Sequence, residues 1–163
     1  MSFLGGLWKK QEKENNIMKS PLKGRVIPLS EVSDPAFAEG ILGVGVAILP
    51  EEGNVCSPVD GTVAAAFPTG HAVGVLSKSG AEVLIHAGID TVNLKGEGFE
   101  LMVQQGEEVR AGQLLFTFDV DKIAAAGYET TTMVLVSNAQ SLGTMKRLCG
   151  DHVEQGEMLY CFE

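Results

Sequence analysis

Two pairs of similar segments constrain the fold of this chain more than any other feature. Segment 20–26, SPLKGRV, repeats as SPVDGTV at 57–63, and GEEVRAGQLLFTFD at 106–119 repeats as GDHVEQGEMLYCFE at 150–163. Each copy reads as a turn, a short strand, a second turn and an alternating strand. Two similar sheet units packed face to face would bury their edges around one core. The sequence therefore predicts an all-β fold, a compact antiparallel β-sandwich or barrel built from duplicated hairpin motifs.

Helix signals are few. Ser33-Asp34-Pro35 predicts a helix start, because Asp caps the first turn and Pro suits its first position. Residues 121–127 predict a second short helix that ends at Gly127. A third is expected within residues 139–148.

Composition fits one folded domain. The chain has 163 residues, of which 45% are hydrophobic and 20% charged. Its net charge of −9 and the lack of a basic cluster outside the termini argue against a nucleic-acid partner. The three cysteines are an odd number without a Cys-x-x-Cys pair, which favours inert thiols in a reducing cytoplasm. With no apolar run of roughly 20 residues and no signal peptide, a cytoplasmic location is expected.

Residues 1–19 differ from the rest and are interpreted as a flexible N-terminal segment, with 20–163 as the single domain. Phe3, Leu4, Leu7 and Trp8 precede two lysines, a pattern typical of a short amphipathic helix on anionic lipid. A poorly ordered tail is the other interpretation, and Gly5-Gly6 favours it. Contact with a membrane surface stays open at this point.

His71 and His86 lie in apolar runs on either side of a turn, Ser77–Gly80. A hairpin centred on Lys78-Ser79 predicts that the two histidines lie directly opposite each other on one face. Their β-carbons would then be roughly 4.5–5.5 Å apart. A slip of one residue in the register would put them on opposite faces.

Two facing imidazoles in apolar surroundings have a definite chemistry. Two adjacent imidazolium ions repel each other, so at least one ring should stay neutral near pH 7. A neutral ring nitrogen can attack phosphorus, bind a metal or act as a base, while the second ring donates to an arriving negative charge. Thr69 is placed to fix a ring tautomer, and Asp90 to supply a nearby charge. The pattern alone leaves phosphate and metal as alternatives.

At these residues the sequence resembles a known family. HAGIDTVNLKGEGF at 86–99, GHAVGV at 70–75 and SPVDGTV at 57–63 resemble the glucose-type enzyme IIA component of the bacterial phosphoenolpyruvate:sugar phosphotransferase system. The similarity extends over about residues 20–163. It departs from the family at Gly70, where many relatives have Asn, and over residues 36–44, where side-chain sizes differ.

The resemblance implies a β-sandwich and a phosphocarrier activity without a required cofactor. His86 would accept a phosphoryl group from phospho-HPr and pass it to the IIB domain of a sugar permease. His71 would be the auxiliary histidine, with Thr69 hydrogen-bonded to it. The positions that match the family's partner-binding surface are Asp34, Phe37, Ile41, Leu42, Phe67, Asp90 and Val92.

Three other functions are alternatives. A zinc hydrolase needs three protein ligands, and here only His71 and His86 converge, with Asp90 as a third candidate. Zinc at the two histidines, shared with a partner's carboxylate, would not have to be catalytic. A biotinyl or lipoyl carrier needs a lysine at a tight hairpin, which neither Lys78 nor Lys146 provides. A regulator that binds transporters or metabolic enzymes according to its phosphorylation state is compatible with the carrier role.

Overall fold

The computed structural model of this chain describes residues 16–163, and these residues form an antiparallel β-structure. The strands are β1 (Ile17–Lys19), β2 (Gly24–Pro28), β3 (Val44–Pro50), β4 (Asn54–Cys56), β5 (Gly61–Ala66), β6 (Ala72–Ser77), β7 (Glu82–Ala87), β8 (Phe99–Leu101), β9 (Glu108–Val109), β10 (Leu114–Phe118), β11 (Thr132–Val136), β12 (Met145–Arg147), β13 (His152–Val153) and β14 (Met158–Phe162). Two short helices interrupt them, α1 (Pro35–Ala38) and α2 (Val120–Ala125). No helix in this part of the chain is long and apolar enough to cross a bilayer.

The strands form one large sheet and two small ones. The large sheet has the order β13-β2-β3-β11-β7-β6-β5-β9, and the small sheets have the orders β1-β14-β12 and β4-β10-β8. One buried cluster joins Ile85 and Val134 of the large sheet to Phe116 and Tyr160 of the small sheets. The two small sheets therefore cover one face of the large sheet, which confirms the predicted β-sandwich.

The sequence repeat is visible as repeated hydrogen bonding. The Ser20 hydroxyl donates to the carbonyl of Leu22, and the Ser57 hydroxyl donates to the carbonyl of Val59, both at 2.7 Å. The β1–β14 and β4–β10 pairs also share a register and a bulge at the same point. The duplicated segments are therefore two copies of one structural unit.

The equivalence extends into the large sheet. The Gly24–Pro50 pair of β2 and β3 corresponds to the Gly61–Ser77 pair of β5 and β6. Counting along the strands from these pairs, Ala72–His86 corresponds to Gly45–Leu135. Leu135 thus occupies in one copy the position that His86 occupies in the other.

The start of the folded part lies earlier than the sequence predicted. Ile17–Lys19 form β1 against β14, although residues 17–19 were expected in the flexible segment. The Met18 side chain is fully buried in the core, which explains why this strand belongs to the domain. The lipid-contact interpretation concerns Phe3–Trp8, which lie outside the described residues.

The helix predictions are confirmed at α1 and α2 and wrong for the third. Asp34 caps α1, with Pro35 at its first position, and Gly127 follows α2 with a φ of 93°. Residues 139–148 instead give one 3-10 turn, Ala139–Ser141, followed by β12. β12 pairs with the second edge of β14, so tertiary pairing overrides the local helix preference there.

The outer face of the large sheet carries a second apolar cluster. Helix α1 and the turn before it bury Leu29, Val32 and Phe37 against Met133 and Leu135. This packing fixes the 29–38 segment over the strand that bears His86. Helix α1 and the turn before it therefore form one side of the candidate site, and this packing fixes them to the large sheet.

Candidate functional site

The structure brings the two predicted histidines into contact. His86 lies on β7 and His71 lies immediately before β6. Their ring centroids are 4.9 Å apart, with the rings edge to face at 80°. His71 is buried and His86 is half-buried. The pair is therefore shielded by the fold while one ring stays accessible.

The predicted register of the hairpin is wrong by one residue. Ala72, not His71, pairs with His86. The loop has three residues, because the Ser77 amide donates to the Ala81 carbonyl at 2.9 Å and the Ala81 amide donates to the Ser77 hydroxyl. Gly80 adopts a φ of 94°, which is typical of three-residue hairpins.

The histidines nevertheless meet, because His71 is not part of the regular strand. Gly70 has a φ of 72°, which turns the chain just before His71 and cancels the alternation of side chains there. The His71 carbonyl still accepts a hydrogen bond of 2.8 Å from the Ala87 amide. The two histidines are thus diagonal neighbours where β6 begins and β7 ends, on interior strands of the large sheet.

Thr69 contacts His71 as predicted. Its hydroxyl lies 2.5 Å from Nδ1 of His71, so this hydrogen bond fixes the ring orientation. The Nε2 atom of His71 is left for an incoming group. Burial lowers the pKa of His71 from its ordinary value, which favours the neutral ring.

His86 is held neutral more strongly. Burial, followed by the nearby His71, lowers the pKa of His86 from 6.5 to about 4, although the backbone of Gly88 and of His86 itself and the Asp34 charge act in the opposite direction. Its Nδ1 atom is buried, and no described group meets it with ordinary hydrogen-bond geometry. Nε2 is therefore the nitrogen of His86 that a reacting group can approach.

Aromatic rings flank the pair on both sides. Phe37 of helix α1 lies 5.0 Å from His86 between ring centroids, and Phe67 lies 5.6 Å from His71. Phe99 lies beneath His71 at 6.5 Å. Phe37 is buried, so it packs on His86 and does not form an exposed contact surface.

The other predicted partner-binding residues lie at the surface. Ile41 is 70% exposed and Val92 50%, while Leu42 and Phe67 are exposed to a smaller degree. Asp90 is also exposed, and Asp34 is partly used in capping helix α1, where it accepts the Ala36 amide at 2.9 Å. Apolar surface and acidic groups thus lie on the segments that flank the histidines.

Among the described residues, the pair offers a metal ion two imidazole ligands, those of His71 and His86. Within residues 16–163, no group of three or more His, Cys, Asp and Glu side chains is arranged to hold a metal ion. Asp90, the third candidate, does not complete such a group. His152, the remaining histidine, is exposed and lies 2.9 Å from Glu51.

Sequence reasoning missed Thr91 as a site residue. Its side chain is fully buried, and its hydroxyl donates a 2.6 Å hydrogen bond to the carbonyl of Ala87, next to His86. A polar residue in the GIDT turn was the available signal. Its burial depends on loop packing that residue patterns do not reveal.

Comparison with known proteins identifies the class to which this fold and histidine pair belong. A family model described as "phosphoenolpyruvate-dependent sugar phosphotransferase system, EIIA 1" matches residues 16–142. The glucose permease IIA from Mycoplasma capricolum has the same fold, with a TM-score of 0.82 and 37% identity over 88% of this chain and 93% of that one. The chain therefore belongs to the EIIA 1 family of the phosphoenolpyruvate-dependent sugar phosphotransferase system, and its relatives indicate the glucose type.

The curated relatives that match include one protein of similar length and two that are much longer. The glucose-specific EIIA component of Oceanobacillus iheyensis is 41% identical over 91% of this chain and 90% of its own length. The beta-glucoside-specific EIIBCA components of Halalkalibacterium halodurans and Bacillus subtilis are 47% and 49% identical over 90% and 78% of this chain. The chain spans only 23% and 21% of the length of these two relatives. It is thus similar both to a relative of its own size and to a section of larger ones.

Proposed function

We propose that this chain is a phosphocarrier that accepts a phosphoryl group from phospho-HPr on Nε2 of His86 and passes it to the IIB domain of a sugar permease. One observation carries the proposal: a half-buried imidazole with a pKa of about 4 lies 4.9 Å from a second imidazole. At neutral pH such a ring has a free lone pair. It is therefore a nucleophile without a separate base.

The transfer moves one group between two nitrogens. The lone pair on Nε2 of His86 forms a bond to phosphorus as the nitrogen–phosphorus bond of the donor phosphohistidine breaks, and the donor ring keeps that electron pair. Both states are phosphoramidates, so the step is nearly balanced and needs no metal or other cofactor. The protein contributes position and charge stabilisation.

His71 assists the transfer by contacting the phosphoryl group. Because Thr69 holds its Nδ1, its Nε2 faces the space beside His86 and can donate an N–H to a phosphoryl oxygen. The surrounding Phe37 and Phe67 rings keep water from the phosphohistidine, which slows its hydrolysis. Zinc between the two rings and a partner's carboxylate would be non-catalytic in this scheme.

The surface beside the histidines and the names of the relatives support the proposed partners. The EIIBCA designation of the larger relatives supports a IIB domain as the acceptor. Exposed Ile41 and Val92 supply an apolar contact area, and Asp34 and Asp90 favour basic residues on HPr. The same surface can serve regulated transporters or enzymes. Because HPr would supply the phosphoryl group, the proposed location is the cytoplasm.

The test is transfer of labelled phosphate. The protein is incubated with labelled phosphoenolpyruvate, enzyme I and HPr, and an acid-labile, base-stable label is expected on the wild type and on His152→Ala, the matched control for loss of an exposed histidine. His86→Ala should carry no label. Absence of label on folded wild-type protein, or a label that survives His86→Ala, would overturn the proposal.

A further inference from the structure

Thr91 is a buried residue of the turn that follows the strand bearing His86. It begins the 3-10 turn Thr91–Leu94, four residues after the end of β7, and its side chain is fully buried. A buried hydroxyl needs a partner, and Thr91 finds it in the Ala87 carbonyl, which accepts its hydrogen at 2.6 Å. Thr91 therefore holds the peptide that follows His86.

The same residue, Ala87, also links the backbones of the two histidines. The Ala87 amide donates to the His71 carbonyl at 2.8 Å, while the Ala87 carbonyl accepts from Thr91. The next amide, that of Gly88, donates to Thr131 at 2.9 Å. The backbone on the C-terminal side of His86 is thus held at three consecutive points.

The methyl group of Thr91 has a separate role. Gly88 has a φ of 84°, and a β-carbon on it would stand 2.2 Å from Cγ2 of Thr91. The methyl group therefore fills the space that the missing side chain leaves. The Gly88 carbonyl is also one of the backbone groups that favour a proton on the His86 ring. The Thr91 hydroxyl holds the Ala87 carbonyl, one residue earlier, and so sets where the Gly88 carbonyl stands, whereas the methyl group only fills space.

We infer that Thr91 is a positioning residue: through its hydrogen bond to the Ala87 carbonyl it holds the Ala87–Gly88 backbone so that the Gly88 carbonyl stays on the side of the His86 ring that carries the buried Nδ1, and so keeps the proton on Nδ1 and the lone pair on Nε2. The inference rests on the proposed function of His86. Because Thr91 is fully buried, it cannot contact an incoming partner. Its effect should therefore appear in the rate of transfer and not in the affinity for the donor.

The experiment compares two nearly isosteric variants. Thr91→Val keeps the branched shape and removes the hydroxyl, whereas Thr91→Ser keeps the hydroxyl and removes the methyl group. The tautomer of His86 is read from long-range proton–nitrogen NMR spectra of histidine-labelled protein near pH 7. In parallel, the maximal rate and the KM for phospho-HPr are measured.

Wild type and Thr91→Ser should show the Nδ1-protonated ring. Thr91→Val should show a mixture of tautomers and a maximal rate about tenfold lower at unchanged KM. A folded Thr91→Val with the wild-type tautomer and rate would overturn the inference, as would equal losses in both variants. If Thr91→Val does not fold, Gly88→Ala tests the position of the same backbone through the contact with the Thr91 methyl group. It should shift the tautomer, and adding Thr91→Ser, which removes the clashing methyl group, should partly restore it.

The tautomer is measured on unphosphorylated protein, so this test does not depend on phosphoryl transfer. If wild-type protein is not phosphorylated but Thr91→Val changes the tautomer, the proposed function fails and the positioning role stands. If transfer occurs and neither the tautomer nor the rate responds to Thr91→Val, only the positioning role fails.

Discussion

The carbonyl of His71 and the amide of Ala87 form a 2.8 Å hydrogen bond, so the backbone next to one site histidine is tied directly to the other. The separation of the two rings is therefore set by a main-chain contact. Substitution of either imidazole should therefore alter the chemistry more than it alters the position of the backbone that carries it.

Substitution of His71, the proposed auxiliary histidine, should separate the two halves of the proposed transfer. His71→Gln keeps a polar side chain but removes the imidazole that faces His86 at 4.9 Å. Label should still reach His86 from phospho-HPr, while onward transfer to a IIB domain should fall by about 100-fold or more. The measurement is the rate of label loss from purified phosphoprotein on addition of IIB. Normal onward transfer would show that His71 has no auxiliary role.

The low pKa of His86 should make the fold less stable in acid. The unfolded chain takes up a proton near pH 6.5, whereas the folded protein does so only near pH 4, so stability falls as the pH is lowered through this window. Between pH 7 and pH 4 this group should cost roughly 2–3 kcal/mol of unfolding free energy.

Urea unfolding at both pH values measures this loss, with His86→Gln as the control because glutamine does not titrate. The other ionisable groups of the protein are present in both proteins. The variant should therefore lose less stability than the wild type. Equal losses would contradict a depressed pKa for His86.

Charges placed on the apolar surface beside the site should weaken partner binding without unfolding the protein. Ile41 and Val92 are 70% and 50% exposed. Ile41→Lys and Val92→Lys should each raise the KM for phospho-HPr about tenfold. Met158→Lys is the matched control, since Met158 is 54% exposed but lies on β14 in a small sheet. An equal effect from Met158→Lys would mean that added charge, and not the surface, is responsible.

The buried hydroxyl of Tyr160 should contribute measurably to stability. It donates a 2.8 Å hydrogen bond to the Val134 carbonyl of the large sheet. Tyr160→Phe should lower the free energy of unfolding by about 1–2 kcal/mol, which urea denaturation can measure. The control is Tyr128→Phe, because Tyr128 is only partly buried and should change stability little. Indistinguishable values for the two variants would contradict this role.

The overall fold could be predicted because the information is local and repeated. The Ser-Pro-x-x-Gly segments and the alternating strands within 106–119 and 150–163 each specify a turn and a strand. Both copies of each motif fold as predicted. The start of the domain could not be predicted in the same way. Three residues, Ile17–Lys19, are too few to show a period, and their pairing depends on β14 at the far end of the chain.

The site was predicted from a register that is wrong. The hairpin turns over three residues because Gly80 takes a positive φ, and a shift of one residue should have separated the histidines. Gly70 takes a positive φ as well and redirects His71 toward His86. Residue types do not determine either backbone conformation. The structure is therefore needed to show that the turn at Gly70 compensates for the one-residue shift in the hairpin register.

The equivalence of Leu135 and His86 within the repeated architecture separates support from chemistry. One copy holds the apolar side chain of Leu135 at the position where its counterpart holds the His86 imidazole. The repeated architecture thus provides the same position twice: Leu135 packs in the outer apolar cluster, and His86 is the proposed phosphoryl acceptor. The repeated sheet architecture therefore does not depend on a histidine at this position, because a hydrocarbon side chain occupies it in the other copy.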